Sequence, residues 1–91
     1  MEPVKIPIRD VLDLHFFHPR DIPDLLSEYI SECLKKEIFR VRIIHGKGKG
    51  VQRRRTWAFL EQHPAVRSYG HAPPQAGGWG ATVAELRPPS P

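Results

Sequence analysis

Ninety-one residues with fourteen Lys and Arg against ten Asp and Glu carry a net charge of +4, enough chain for one small hydrophobic core and not for two. The single cysteine, Cys33, excludes an intrachain disulfide and predicts a cytoplasmic setting. No stretch approaches the roughly 18 apolar residues of a membrane span, and Pro3, Pro7 and nearby charges interrupt the N-terminus before a signal-like run builds up.

Residues 1–9 read as an N-terminal extension. Val11-Leu12-Asp13-Leu14-His15 reads as a short strand. In an extended chain residues i and i+2 share a face, so Asp13 and His15 are neighbours while Leu12 and Leu14 turn the other way. A carboxylate there can hold an imidazole in one tautomer, raise its basicity, or supply half of a metal site. In the plainer alternative Asp13 caps a turn and His15 fills a half-buried position. His18-Pro19-Arg20-Asp21 reads as a turn. Ile22, Leu25, Leu26, Tyr29, Ile30, Cys33 and Leu34 then recur at steps of three and four, the period of one helical face. Asp21 is the expected N-cap, Pro23 falls in the first turn, and Lys35-Lys36 close the helix as its dipole favours.

From Ile38 to Ile44 the pattern alternates, with Phe39, Val41 and Ile43 on one side and Arg40 and Arg42 on the other, which predicts a strand. Val51 to Gln62, bounded by Gly50 and by His63-Pro64, reads as a second helix with an irregular apolar stripe, and Trp57 and Phe59 are expected in the core. Val66 to Tyr69 and Ala81 to Leu86 read as two further strands. Between them, residues 72–80 (APPQAGGWG) form a loop long enough to be mobile. Residues 88–91, PPSP, are a Pro-rich tail.

The order β-α-β-α-β-β predicts an α/β fold: a compact two-layer sandwich with a mixed sheet and two helices. Strand, helix, strand implies a parallel pair joined by a crossover, so the first two strands end on one edge of the sheet. Ligands of open α/β sheets bind beyond such ends. Asp13, His15 and His45 should therefore meet at one rim, and three polar groups converging there cost stability unless they serve a function.

Gly46, Gly48 and Gly50 let the backbone turn its N–H groups inward, the helix from Val51 brings the positive end of its dipole, and Lys47 and Lys49 add charge. Together these features describe a phosphate cradle. The loop is neither a Walker motif nor a G-x-G-x-x-G fingerprint. Arg53 and Arg54 stand in the first turns of that helix, where positive charge opposes the dipole unless an anion is supplied. Nine of the fourteen basic residues fall between Lys35 and Arg55 beside one acid, Glu37, while seven of the ten acids precede residue 35. Such segregation predicts a positive face for a polyanion, DNA or RNA. Trp79, hard to bury in a glycine-rich loop, is a candidate for stacking on a base.

Three segments, LDLH at 12–15, HGKG at 45–48 and GGWGAT at 77–82, together resemble the Smr (small MutS-related) domain family over residues 10–87. The resemblance implies a fold similar to the C-terminal domain of a bacterial translation initiation factor. It also implies an endonuclease that nicks or cleaves DNA or RNA with low sequence specificity, in settings such as DNA repair and recombination. By position it assigns Asp13 and His15 to the first motif, His45, Gly46 and Gly48 to the second, and Gly77, Gly78 and Gly80 to the third. A Mg2+ or Mn2+ cofactor and a homodimer are both compatible with it. Family members usually carry glycine after LDLH; Phe16 stands there in this chain, a side chain expected to narrow the site or redirect the loop, which favours the alternative of a non-catalytic module binding branched or single-stranded nucleic acid.

Overall fold

The computed structural model describes residues 8–48 and 50–89. Most of the N-terminal extension, Lys49 and the last two residues of the Pro-rich tail lie outside the described residues. Four strands and two α-helices alternate as β1 (Val11–Asp13), α1 (Ile22–Lys35), β2 (Arg40–Ile44), α2 (Val51–Gln62), β3 (Val66–His71) and β4 (Ala81–Leu86). The strands form one mixed sheet in the order β1-β2-β4-β3. β1 and β2 are parallel, with Asp13 opposite Ile44, and β4 runs antiparallel to both of its neighbours.

Alternation along the strands decides which face the helices cover. Leu12, Ile43 and Thr82 lie opposite one another, as do Val41, Ala84 and Tyr69, and opposed residues share a face. Leu26, Ile30 and Cys33 of α1 and Leu60 of α2 complete a single core with Leu12, Val41, Ile43, Ala84 and Leu86. Arg40 and Arg42, one residue out of phase, occupy the outer face, where Arg40 reaches Glu85 at 3.4 Å and Arg42 donates to the Ala76 carbonyl at 2.9 Å. The basic segment of the sequence is thereby split. Arg40 and Arg42 stand on the outer face of the sheet, while Arg53, Arg54 and Arg55 stand on α2.

The helix boundaries have local causes. α1 ends in a Schellman arrangement, with Ile38 N–H donating to Cys33 O and Glu37 N–H to Leu34 O. The left-handed position that glycine usually fills is occupied by Glu37, at φ 59°. At its other end Asp21 makes no side-chain capping bond. The chain enters instead through a 3-10 turn, Pro19–Asp21, capped by His18 Nδ1, which accepts from Arg20 N–H. α2 follows Gly50, which has a left-handed φ of 79° and no side chain with which to cap.

Two further expectations are corrected. β3 continues two residues past Tyr69 to His71. Residues 72–80 are not a slack connection but two consecutive 3-10 turns, Pro74–Ala76 and Gly78–Gly80, closed by bonds from Ala76 to Pro73, Gly78 to Pro73 and Gly80 to Gly77. The two prolines supply the preset φ that starts the first of these turns.

Candidate functional site

β1 stops at Asp13, two residues before the expected end, because Asp13 caps a 3-10 turn spanning Leu14–Phe16. Its Oδ1 accepts from the backbone N–H of His15 at 2.9 Å and meets His15 Nδ1 at 2.6 Å. The pairing expected from strand alternation is present, produced by capping instead. The His15 backbone N–H holds the Asp13 carboxyl below its ordinary range, helped by the His15 side chain and opposed by partial burial. An ionised carboxylate only accepts, so Nδ1 carries the proton, and in the neutral ring Nε2 is the acceptor. That nitrogen lies over Gly46: a Cβ built there would come within 2.9 Å of Nε2, and φ is +88°. Glycine at 46 therefore serves both the turn and the space that the imidazole fills.

His45 follows β2 on the same edge in a contrasting environment. It is only 5% exposed, with Nδ1 on its neighbour's Gly46 carbonyl at 3.0 Å and Nε2 on Thr82 Oγ1 at 2.8 Å. Trp57 Nε1–H donates to the same Thr82 oxygen at 2.7 Å. One proton assignment satisfies the whole chain: Trp57 donates to Thr82, the Thr82 hydroxyl to Nε2, and Nδ1–H to Gly46 O. Burial, reinforced by Arg53, His71 and His15, pushes the His45 pKa down, with the Gly46 bond opposing. The ring is held neutral and inward. It joins Asp13 and His15 in space, but neither of its nitrogens is open to a substrate.

The third motif is tied to the second through one carbonyl. Gly80 O accepts from both His45 N–H at 3.1 Å and Gly46 N–H at 2.9 Å, and a Cβ at Gly80 would press on Lys47 Cγ at 3.3 Å. All three sequence motifs thus meet at the shared end of β1 and β2. Of the three loop glycines expected to turn their N–H groups inward, Gly46 spends its own on Gly80, while Gly77, Gly78 and Gly80 donate within their own turns. Among the described residues the first bond of α2 runs from Arg54 N–H to Gly50 O at 2.9 Å, and a helix start of this kind directs its leading N–H groups toward an anion. Exposed Lys47, Gly48 and Arg54 border them; Lys49 lies outside the described residues.

Arg53 folds back over Gly50 and places its guanidinium 5.2 Å from the Trp79 ring and 6.0 Å from Trp57. Trp79 in turn lies 4.3 Å from His71, His71 4.9 Å from Trp57, and Trp57 5.2 Å from Tyr69. Trp57, expected in the core, is therefore a half-buried member of the site, whereas Phe59 packs against the core as expected. Sequence reasoning passed over Thr82 and His71. Extending β3 by two residues was the missing signal, since Tyr69 and His71 then share the helix-covered face, with His71 opposite Thr82. Phe16 is 86% exposed.

A bound Mg2+ or Mn2+ ion fits these groups poorly. Asp13 Oδ1 already receives two bonds from His15, His45 has no free nitrogen, and no group of three or more His, Cys, Asp or Glu able to hold a metal occurs among the described residues. Hard divalent ions take oxygen ligands, several at once. Among the described residues no helix is long and apolar enough to cross a membrane.

Comparison with known proteins agrees with this arrangement. The chain is 37% identical over 75 residues to the protein named Endonuclease MutS2 of Thermomicrobium roseum, covering 82% of this chain and 10% of that one. It is 41% identical over 76 residues to Endonuclease MutS2 of Geobacillus thermodenitrificans, covering 84% and 10%. The chain thus spans about a tenth of the length of these relatives. Its fold is similar to the crystal structure of the Smr domain of Thermus thermophilus MutS2, with TM-score 0.80, 31% identity, and 86% and 98% of the two chains covered. It also resembles YdaL, a stand-alone small MutS-related protein from Escherichia coli, with TM-score 0.81, 28% identity, and 91% and 68% covered. The family model described as the Smr domain matches residues 12–87, and the chain belongs to that family.

Proposed function

We propose that this chain is an endonuclease of low sequence specificity that cuts RNA through the substrate's own 2′-hydroxyl. The observation that carries the reading is the Asp13–His15 pair, with Nδ1 held by the carboxylate at 2.6 Å and Nε2 free beside the glycine loop. Nε2 takes the proton of the 2′-hydroxyl as general base. The 2′-oxygen bonds to phosphorus, the bond to the 5′-oxygen breaks, and that oxygen leaves with a proton from water. The products are a 2′,3′-cyclic phosphate and a 5′-hydroxyl, and no metal enters any step. Lys47, Arg53, Arg54 and the N-terminal end of α2 neutralise the charge that gathers on the phosphate oxygens. Names of relatives that include the word endonuclease support the reading.

The second reading is a nucleic-acid-binding module without turnover. It is favoured by one observation, the burial of His45, which leaves one fewer titrating group for catalysis than the motifs imply. Labelled RNA and DNA strands of one sequence, incubated with EDTA or with magnesium or manganese, separate the cases. The first reading expects RNA cut in EDTA to cyclic phosphate ends and DNA left intact. DNA cleavage that needs the metal and leaves 5′-phosphate ends rejects the 2′-hydroxyl route, and binding with no cleavage under any condition supports the module.

A further inference from the structure

Among the described residues three large apolar side chains are exposed: Phe16 at 86%, Trp79 at 63% and Val51 at 43%. Single exposed apolar residues are ordinary, but these three belong to the segments that meet at the Gly46 turn. Phe16 directly follows His15 in the 3-10 turn. Val51 opens α2 at the glycine loop, and Trp79 precedes Gly80, the residue packed against Lys47 and bonded to His45 and Gly46. The sheet edge that gathers the cations and the free imidazole also gathers the unburied apolar surface.

Apolar rings among cations match one class of polyanion well. An acidic polypeptide presents carboxylates on flexible stems, whereas an unpaired nucleotide presents a phosphate and a flat apolar face a few ångströms apart. Arg53 and Trp79 reproduce that pairing, a guanidinium 5.2 Å from a ring centroid. Bases inside a duplex already stack on one another and offer no free face.

We propose that Phe16 and Trp79 are two stacking walls for unpaired nucleobases on either side of the phosphate at His15, so that the chain takes single-stranded nucleic acid. The inference rests on the nucleic-acid reading above and adds the strand state and the two residues that select it. His71 braces Trp79 from within the site at 4.3 Å, which leaves the ring ordered before a base arrives. Phe16 adds a wall on the His15 side.

The test measures affinity of the full chain by fluorescence anisotropy, using 2′-O-methyl strands that cannot be cut by the proposed route. Four probes are compared at one salt concentration: a single strand, its perfect duplex, the same backbone with abasic sites, and poly-glutamate of equal charge. The single strand is expected to bind at least about tenfold more tightly than the other three. Trp79→Ala and Phe16→Gly should each lose about tenfold on the single strand and almost nothing on the abasic one, while Trp79→Phe and Phe16→Tyr keep the parent affinity. Both positions are exposed, and thermal melts of the variants verify that they fold. Equal affinity for abasic and base-bearing strands, a preference for duplex, or unchanged binding by the two truncations overturns the stacking walls and leaves the cleavage reading standing. Equal binding of poly-glutamate identifies an acidic polypeptide as the partner and overturns the inference. Failure of every nucleic-acid probe even at low salt removes both the inference and the reading beneath it.

Discussion

His15 and His45 end neighbouring parallel strands, one residue type on one edge, and have almost nothing else in common. The His15 side chain is 55% exposed, bonded to a carboxylate on one nitrogen and open on the other. His45 is buried with both nitrogens spent on Thr82 and Gly46. Topology brings the two together; burial and partners divide their tasks. An imidazole with one nitrogen anchored and one free can move a proton, whereas an imidazole with both anchored holds a turn in place. The clamp on Gly46 is what keeps the space over which His15 Nε2 lies, so the buried ring shapes the site that the exposed ring would use.

The largest effect that can break this comparison is on rate. His15→Ala should lower RNA cleavage by about 10²–10⁴-fold while changing affinity little, since one neutral side chain adds little to backbone attraction. Single-turnover assays beside binding titrations measure both, and retained cleavage rejects the assignment. Gly46→Ala is the sharper probe, because its methyl would sit 2.9 Å from His15 Nε2 at a φ of +88°. Left-handed strain of about 1–2 kcal/mol should appear in urea unfolding, with a loss of cleavage larger than that loss of stability can explain.

Stability is the measure for the other histidine. Thr82→Val removes the hydroxyl that serves Trp57 Nε1 and His45 Nε2. It should cost about 1–3 kcal/mol, the usual effect of a polar group left unpaired. Acidification tests the same chain. The pKa of His45 is lowered by burial, so below its ordinary value near 6.5 the unfolded chain binds a proton that the folded chain refuses. The stability it contributes is present above about pH 6.5 and is lost as pH falls toward the depressed folded value. Asp13, also lowered, adds a second loss further down, beginning below about pH 4. Urea midpoints at pH 7.5 and 5.5 should therefore differ in the parent and differ less in His45→Gln. An unchanged difference in that variant means that another group titrates.

Much of this was legible in the chain because it depends on period. The steps of three and four from Ile22 to Leu34 and the alternation from Phe39 to Ile43 fix α1 and β2, and the β-α-β order alone places Asp13, His15 and His45 on one edge. The illegible part depends on which atoms face which. Two glycine-rich stretches read alike, yet the Gly80 carbonyl takes the amides of His45 and Gly46, and a contact 34 residues away has no local sequence signature. His45 looked as available as His15 because burial at a strand end follows from packing by Trp57 and Thr82. The length of residues 72–80 reads as a mobile connection, but Pro73 and Pro74 each fix a φ and start the first of two 3-10 turns.

The smallest expected effect separates the two groups of arginines that sequence placed on a single basic face. Each phosphate contact contributes about 0.7–0.9 to the slope of log affinity against log salt, so Arg54→Ala should flatten that slope by about this amount and Arg53→Ala with Arg54→Ala by about twice it. Arg40 is the internal comparison. It points to the outer face of the sheet and pairs with Glu85 at 3.4 Å, away from the edge where the glycine loop and α2 begin, and removing it should leave the slope unchanged. If Arg40→Ala flattens the slope as much as Arg54→Ala does, the bound strand wraps onto the outer face and the footprint is wider than the His15 edge. If only the α2 arginines act, the polyanion is confined to the edge where the free imidazole stands.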